Sequence, residues 1–400
     1  MFNELVTAII IGLLVGTFTG LTPGIHTNTI AVIITSLSAV ILQFVSLQAL
    51  VAFIISMSIV HTFVDAIPSI FLGAPDEAQA LSVLPGHKML LNGEGYNALK
   101  LTVIGSFFSL IISVLLIPLL IPLVKILHPL IKDYIGWMLL VISIFMILKD
   151  KTRFWNLIMF LMSGTLGLIT LNTPNINNVL FPLLSGLFGC SLLIISLKDK
   201  TKIPTQDLTK KLEISKSTIV KSTIGATIGG FFASFLPGLG SSQTAVIVQQ
   251  FLKKIGDGGF LVMIGGINTV NMALSIVTLY ALDRARNGSI VAISKIVEGF
   301  DKQLLIISIC AIMITGGIAV PLTLKLARGF SKIITKVNYQ HVVLGVLTFI
   351  TTLVIYFSGI IGLLILIVST SIGIVASARG IAKNHLMGCL ILPVILFFLL

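Results

Sequence analysis

Along this chain, long stretches without Asp, Glu, Lys or Arg alternate with short charged ones. The uncharged stretches are 5–64, 101–124, 134–148, 154–197, 222–252, 258–282, 303–324, 337–378 and 384–400. A helix that crosses a bilayer needs about 20 apolar residues, within roughly 17–25. Stretches near that length predict single spans. Longer ones must divide: 154–197 at Asn172-Thr173-Pro174-Asn175, and 337–378 near Ser358-Gly359.

The stretch 222–252 is too long for one span and too short for two. Leu236-Pro237-Gly238-Leu239-Gly240 interrupts it, and proline and glycine there end one helix and begin another. This predicts a re-entrant hairpin over 222–252 that enters and leaves on one side. Such broken backbone is tolerated at membrane depth only where protein or a water-filled cavity covers it. Residues 5–43 carry the same device at Thr22-Pro23-Gly24, preceded by Gly12, Gly16 and Gly20. Glycines at that spacing let helices approach closely.

The two hairpins are related. Pro23-Gly24 followed by Ala31-Val32-Ile33 recurs as Pro237-Gly238 followed by Ala245-Val246-Ile247, at a constant offset of 214. The following helices echo each other too, Val64-Asp65 against Val270-Asn271. The expected fold is an all-α polytopic membrane protein of two inverted-topology repeats. Each repeat is a re-entrant Pro-Gly hairpin plus about five transmembrane helices. The first occupies 1–197, a basic cytoplasmic linker 198–221, and the second 222–400. The predicted spans are 49–72, 100–124, 134–148, 154–171 and 177–197, then 259–282, 303–324, 340–357, 361–377 and 384–400.

Charge orients this arrangement. With both termini outside, 20 of the 26 Lys and Arg fall on the inner side; only Lys125, Lys132, Arg284, Arg286, Lys295 and Lys302 fall outside. That satisfies the positive-inside rule, which the opposite orientation breaks. The linker alone carries seven lysines, and Trp137 and Trp155 suit interfacial anchors. The expected location is therefore the cell membrane, crossed many times, with lipid as a constant partner.

Composition agrees. The chain is 56% hydrophobic and 10% charged, where soluble domains carry about 25% charged residues. Too little charge exists to cover a globular surface, which excludes a soluble enzyme, a secreted disulfide scaffold and a disordered chain. A net charge of +12 would suggest nucleic acid in a soluble protein. Here it lies in loops between spans, and no nucleic-acid partner is expected. Cys190, Cys310 and Cys389 stand singly in apolar runs with no metal or disulfide spacing.

Inverted repeats with paired broken helices point to a secondary transporter whose site lies where the breaks meet. Helix starts inside the membrane present free N–H groups to an anion. The substrate-binding candidates are Pro23, Gly24, His26, Thr27, Asn28 and Thr29 at one tip. At the other they are Pro237, Gly238, Gly240, Ser241, Ser242 and Gln243. The bland alternative is that these polar residues merely cap broken helices. Intramembrane acids are rare and usually functional. Asp65, with His61 one turn before it, is a candidate for ion coupling, as are Asn268 and Asn271 in the second half. Asp65 suits Na⁺ or a proton; its bland reading is a structural partner at the membrane edge. The segment 73–100, with Asp76, Glu77, His87, Lys88 and Glu94, fits no metal motif and reads as a solvated interfacial loop. Arg284 and Arg286 could funnel an anion inward. No metal, organic cofactor or catalytic constellation is expected beyond bound Na⁺, so the chain reads as no enzyme.

Three groups of residues carry a resemblance. They are Gly16 with Pro23-Gly24, the loop Phe71-Leu72-Gly73-Ala74-Pro75-Asp76-Glu77 through Pro85-Gly86-His87 to Gly93 and Ala98-Leu99, and Gly225 and Gly229 with Pro237-Gly238-Leu239-Gly240. In order and spacing they resemble the large membrane subunit of tripartite tricarboxylate transporters, the TctA family. The resemblance implies an ion-coupled importer of small carboxylates. It also implies a small membrane subunit and an extracytoplasmic binding protein as partners. A homodimer is left open. The expected function is secondary active import of a di- or tricarboxylate, coupled to Na⁺ or H⁺ and held between the tips. The alternative is a polyprenyl-phosphate translocase using the same tips.

Overall fold

The computed structural model describes residues 2–23, 27–74, 79–149, 152–174, 179–198, 203–236, 239–252, 255–335 and 339–400. Among them the fold is helical, without strands. This is what a chain in lipid requires, since a helix satisfies its own backbone hydrogen bonds. The first half holds α1 (Phe2–Leu21), α2 (Thr27–Ile41), α3 (Leu47–Val64), α4 (Val83–Leu91) and α5 (Gly95–Leu115). It continues with α6 (Ile117–Ile131), α7 (Ile135–Lys149), α8 (Arg153–Leu171), α9 (Leu180–Leu184) and α10 (Ser191–Lys198). The second half holds α11 (Lys216–Phe235), α12 (Ser241–Phe251), α13 (Gly256–Leu282) and α14 (Gly288–Ile296). It ends with α15 (Lys302–Ile334), α16 (Tyr339–Ala378) and α17 (Gly388–Leu399). Eight helical stretches among the described residues are long and apolar enough to cross a membrane, and Leu180–Ile195 and Lys383–Leu399 are shorter apolar ones.

Both expected breaks are real helix breaks, between α1 and α2 and between α11 and α12. Small residues set the packing around them. A Cβ on Gly16 would lie 2.1 Å from the Met57 carbonyl oxygen, and one on Gly20 2.9 Å from Val64 Cβ. The contacts advance together, so α1 runs parallel to α3. Likewise Gly266 meets Ala226 and Gly230 meets Val270, so α11 runs parallel to α13. Between them α12 returns against α11, with Leu252 over Gly225 and Thr244 over Gly229. The halves interlock. A Cβ on Gly105 of α5 would lie 1.8 Å from the Val262 carbonyl oxygen of α13, and α15 packs along α3. These interlocked helices share one apolar core, and α7, α8 and α17 join a second with α13.

Two boundaries differ from the sequence expectation and one agrees with it. The span expected over 100–124 stops at Leu115, because Pro118 starts a new helix after the bend at Leu116. Proline suits a first turn, where its missing N–H is no loss. The span expected over 177–197 is divided by a π-helical turn at Ser185–Cys190. The expected break near Ser358-Gly359 is present: Gly359, with φ of 64° and ψ of −160°, is non-helical and α16 is two helices joined across that kink.

The linker is docked along its described part. Gln206 accepts from the Gly95 N–H at 2.8 Å and donates to the Leu90 carbonyl at 3.0 Å. Asp207 N–H donates to the Gly93 carbonyl, and Lys210 pairs with Glu94 at 2.7 Å.

Candidate functional site

The start of α2, the end of α3, the start of α12, the middle of α13 and the turn into α14 converge on one cavity of about 500 Å³. Its polar lining includes Thr27, Asn28, His61, Asp65, Ser241, Gln243, Asn268, Asn271 and Arg286. The volume falls within the roughly 300–1,000 Å³ of small-molecule sites.

Each wall has a local cause. Gly240 precedes α12 and has no side chain to cap it, so the helix begins without a side-chain cap. Ser241 opens the helix and accepts from Asn271 Nδ2 at 3.3 Å. Gln243 Oε1 is buried and meets no hydrogen-bond donor. On the opposite wall Asn28 lies over Gly288, where a Cβ would sit 2.6 Å from the Asn28 amide carbon. Glycine is needed at 288 for that contact. Asn287 caps α14 through the Ile290 N–H at 2.9 Å.

The base is polar and tightly held. Asp65 is buried just past the end of α3, and Pro68 redirects the chain into a π-helical turn that stops at Gly73, φ 65°. Asn268 Nδ2 donates to Asp65 Oδ2 at 2.7 Å, and Gln79 Nε2 donates to Oδ1 at 3.2 Å. Hydrogen bonds to a charged acceptor are the strong kind. Nearby, Thr62 and Thr269 share a hydroxyl contact at 3.0 Å, and His61 Nδ1 lies 2.9 Å from Thr19 Oγ1.

The remaining wall carries the charge. Asp283, with φ of 52°, ends α13 in the left-handed conformation and turns the chain back over the cavity. Arg286 follows, half-buried, with its Nε–H buried and without an acceptor among the described residues. Burial, then the neighbouring Arg284, pushes its pKa down from the usual range. A guanidinium is so basic that it stays charged regardless. Arg284 and Arg286 each approach His128 Nε2 at 3.4 Å.

The structure therefore brings together Thr27, Asn28, Gly240, Ser241, Gln243, His61, Asp65, Asn268 and Asn271. Pro23 and Ser242 are buried without lining the cavity. Gly24, His26, Pro237, Gly238 and the Thr29 side chain lie outside the described residues. Gln79 was missed. The charges of 73–100 suggest a solvated loop, yet Gln79, Ser82 and His87 are buried within it. The available signal was the uncharged run Ala78-Gln79-Ala80-Leu81-Ser82-Val83-Leu84. Lys88 and Glu94 do lie in ion pairs at the protein's edge, with Asp257 and Lys210.

Among the described residues, eight apolar helices long enough to cross a membrane, with a polar cavity among them, define a multi-pass membrane protein. Residues 6–388 match the tripartite tricarboxylate transporter TctA family, and the chain belongs to that family. It is thus a component of a tripartite tricarboxylate transporter. It is 32% identical over 401 residues to an uncharacterised protein of Methanocaldococcus jannaschii, covering 98% of each chain. No solved structure matches it.

Proposed function

We propose that the chain is the permease that imports a small di- or tricarboxylate, driven by Na⁺ or H⁺. The substrate sits between the start of α2 and the start of α12. Arg286 supplies its counter-charge, and Asn28, Ser241 and Gln243 supply neutral hydrogen bonds. Asp65, held by Asn268 and Gln79, takes the coupling cation, its carboxylate oxygens being hard ligands of the type Na⁺ prefers. A small membrane subunit and an extracytoplasmic binding protein deliver substrate from outside, the side of Arg286. The parallel pairing of α1 with α3 and of α11 with α13 supports the repeat behind this reading.

One observation carries it: a half-buried arginine with an unsatisfied buried N–H faces a cavity lined from both chain breaks. A buried donor without a partner costs about 1–3 kcal/mol, and an arriving carboxylate removes that cost. The test is counterflow in proteoliposomes with labelled citrate and succinate. Asn28→Ala and Gln243→Ala abolish exchange while the protein remains folded in detergent. Absence of exchange for every carboxylate tried sinks the proposal. Flipping of a polyprenyl phosphate in the same vesicles would move the site to the lipid-carrier reading.

A further inference from the structure

A second cavity, of about 580 Å³, lies at the other end of the same helices. Its lining includes Ala80, Leu81, Lys88, Lys149, Gln249, Asp257, Phe260 and Lys383. The helices that bound the first cavity continue into it. On α13, Asn268 lines the first and Phe260 the second. On α12, Gln243 lines the first and Gln249 the second. At 1.5 Å per residue these separations are about 12 Å on α13 and about 9 Å on α12. Between them runs the segment after Gln79: Gln79 itself binds Asp65, and Ala80 and Leu81 face the second cavity. The two cavities thus lie one beyond the other along the same helices, with the segment around Gln79 between them.

The second cavity has its own charge. Lys383 is buried, and its ammonium donates to Ser191 Oγ at 2.8 Å and to the Leu187 and Phe188 carbonyls at 3.3 and 3.4 Å. Those three oxygens hold a cation inside the protein, and among the described residues no carboxylate pairs with it. Burial without that partner pushes the Lys383 pKa down to about 7, and an arriving anion would offset the cost of the charged form. Asn384 Oδ1, beside it, is buried without a partner. Lys149 adds a second cation at the rim, and among the described lining residues Asp257 is the one acid, already paired with Lys88.

We propose that this second cavity is an anion site in its own right: the inner chamber that receives the di- or tricarboxylate after it leaves the first, with Lys383 as its buried cation. The proposal rests on the transporter reading above. Gln79 then ties the segment between the chambers to the carboxylate of Asp65, so that the segment and the cation site are one structure.

The test uses the full chain in sided membrane vesicles, with Cys190, Cys310 and Cys389 replaced by alanine and exchange retained. Single cysteines are placed by Gln249→Cys in the inner cavity and Ala285→Cys in the outer one. A membrane-impermeant maleimide should label Cys at 249 only from the inner face and Cys at 285 only from the outer face. Citrate on the inner face should slow labelling at 249. Lys383→Gln should raise the half-protecting citrate concentration at least tenfold, and Lys383→Arg less than threefold. If Lys383→Gln does not fold, Lys149→Gln is read instead, with about a threefold rise expected. Labelling of both sites from one face, or citrate protection at 285 without protection at 249, overturns the inner site and leaves the transporter reading standing. Protection at neither site overturns both. Protection at 249 that neither lysine variant alters overturns the role of the lysines.

Discussion

Replacing Arg286 by glutamine removes the charge of the outer cavity while keeping a polar side chain of similar reach. A hydrogen bond to a charged partner is worth about 1.5–3 kcal/mol. The bare Coulomb attraction at 4 Å, with an effective dielectric constant of about 20, is about 4 kcal/mol. Arg286 is only half-buried, so water screens part of that attraction and the lower end applies, about 1.5–2 kcal/mol. At about 1.4 kcal/mol per factor of ten, the half-saturating carboxylate concentration rises roughly 10–30-fold. Lysine keeps the charge but loses the planar fork that grips two carboxylate oxygens, so Arg286→Lys should cost about 3–10-fold. The assay is citrate counterflow in proteoliposomes across a concentration series, with folded protein verified by size exclusion and thermal melting. A half-saturation within twofold of wild type in Arg286→Gln would refute the reasoning. So would equal losses in the lysine and glutamine variants, since geometry would then count for nothing.

Other expectations follow from the same geometry. Asp65→Asn keeps the shape of the base and should cut ion-driven uptake more than tenfold, read as uptake with and without a Na⁺ or pH gradient. Gly288→Ala pushes Asn28 off its seat and should lower uptake several-fold with the melting temperature nearly unchanged. Gly105→Ala forces a methyl onto the Val262 carbonyl and should destabilise by about 3 kcal/mol or more, beyond ordinary overpacking. Gly317→Ala meets open space and should be neutral or slightly stabilising in the same melting assay. Burial holds the His87 pKa below its ordinary value, so the unfolded chain binds a proton that the folded one refuses. Stability should therefore fall as pH drops from about 7.5 to about 5.5, and His87→Asn should flatten that dependence.

The breaks at Pro23 and near Pro237, the kink at Gly359 and most of the cavity lining were legible because each leaves a local mark. Proline, glycine or a polar residue inside an apolar run is costly, so its presence signals a constraint. The tight α5–α13 crossing was not legible, because Gly105 and Val262 lie far apart in sequence and nothing near either announces the other. Gln79 escaped for a related reason. Charge at Asp76, Glu77 and Lys88 dominates any local reading of 73–100, whereas the burial of Gln79 is decided by Asp65, which the chain brings to it only after the π-helical turn. Arg286, read with Arg284 as an arginine that could funnel an anion inward, lies on the cavity wall after the left-handed turn at Asp283.

The glycine-cut groove on α5 is filled by backbone from the far side of the linker. The midpoint of the chain is therefore not a seam. Expressed alone, the first 198 residues would present a bare furrow where Val262 belongs, and the remainder would present the matching bare ridge. Any rigid unit that holds α5 must therefore hold α13 as well, and so draws on both halves.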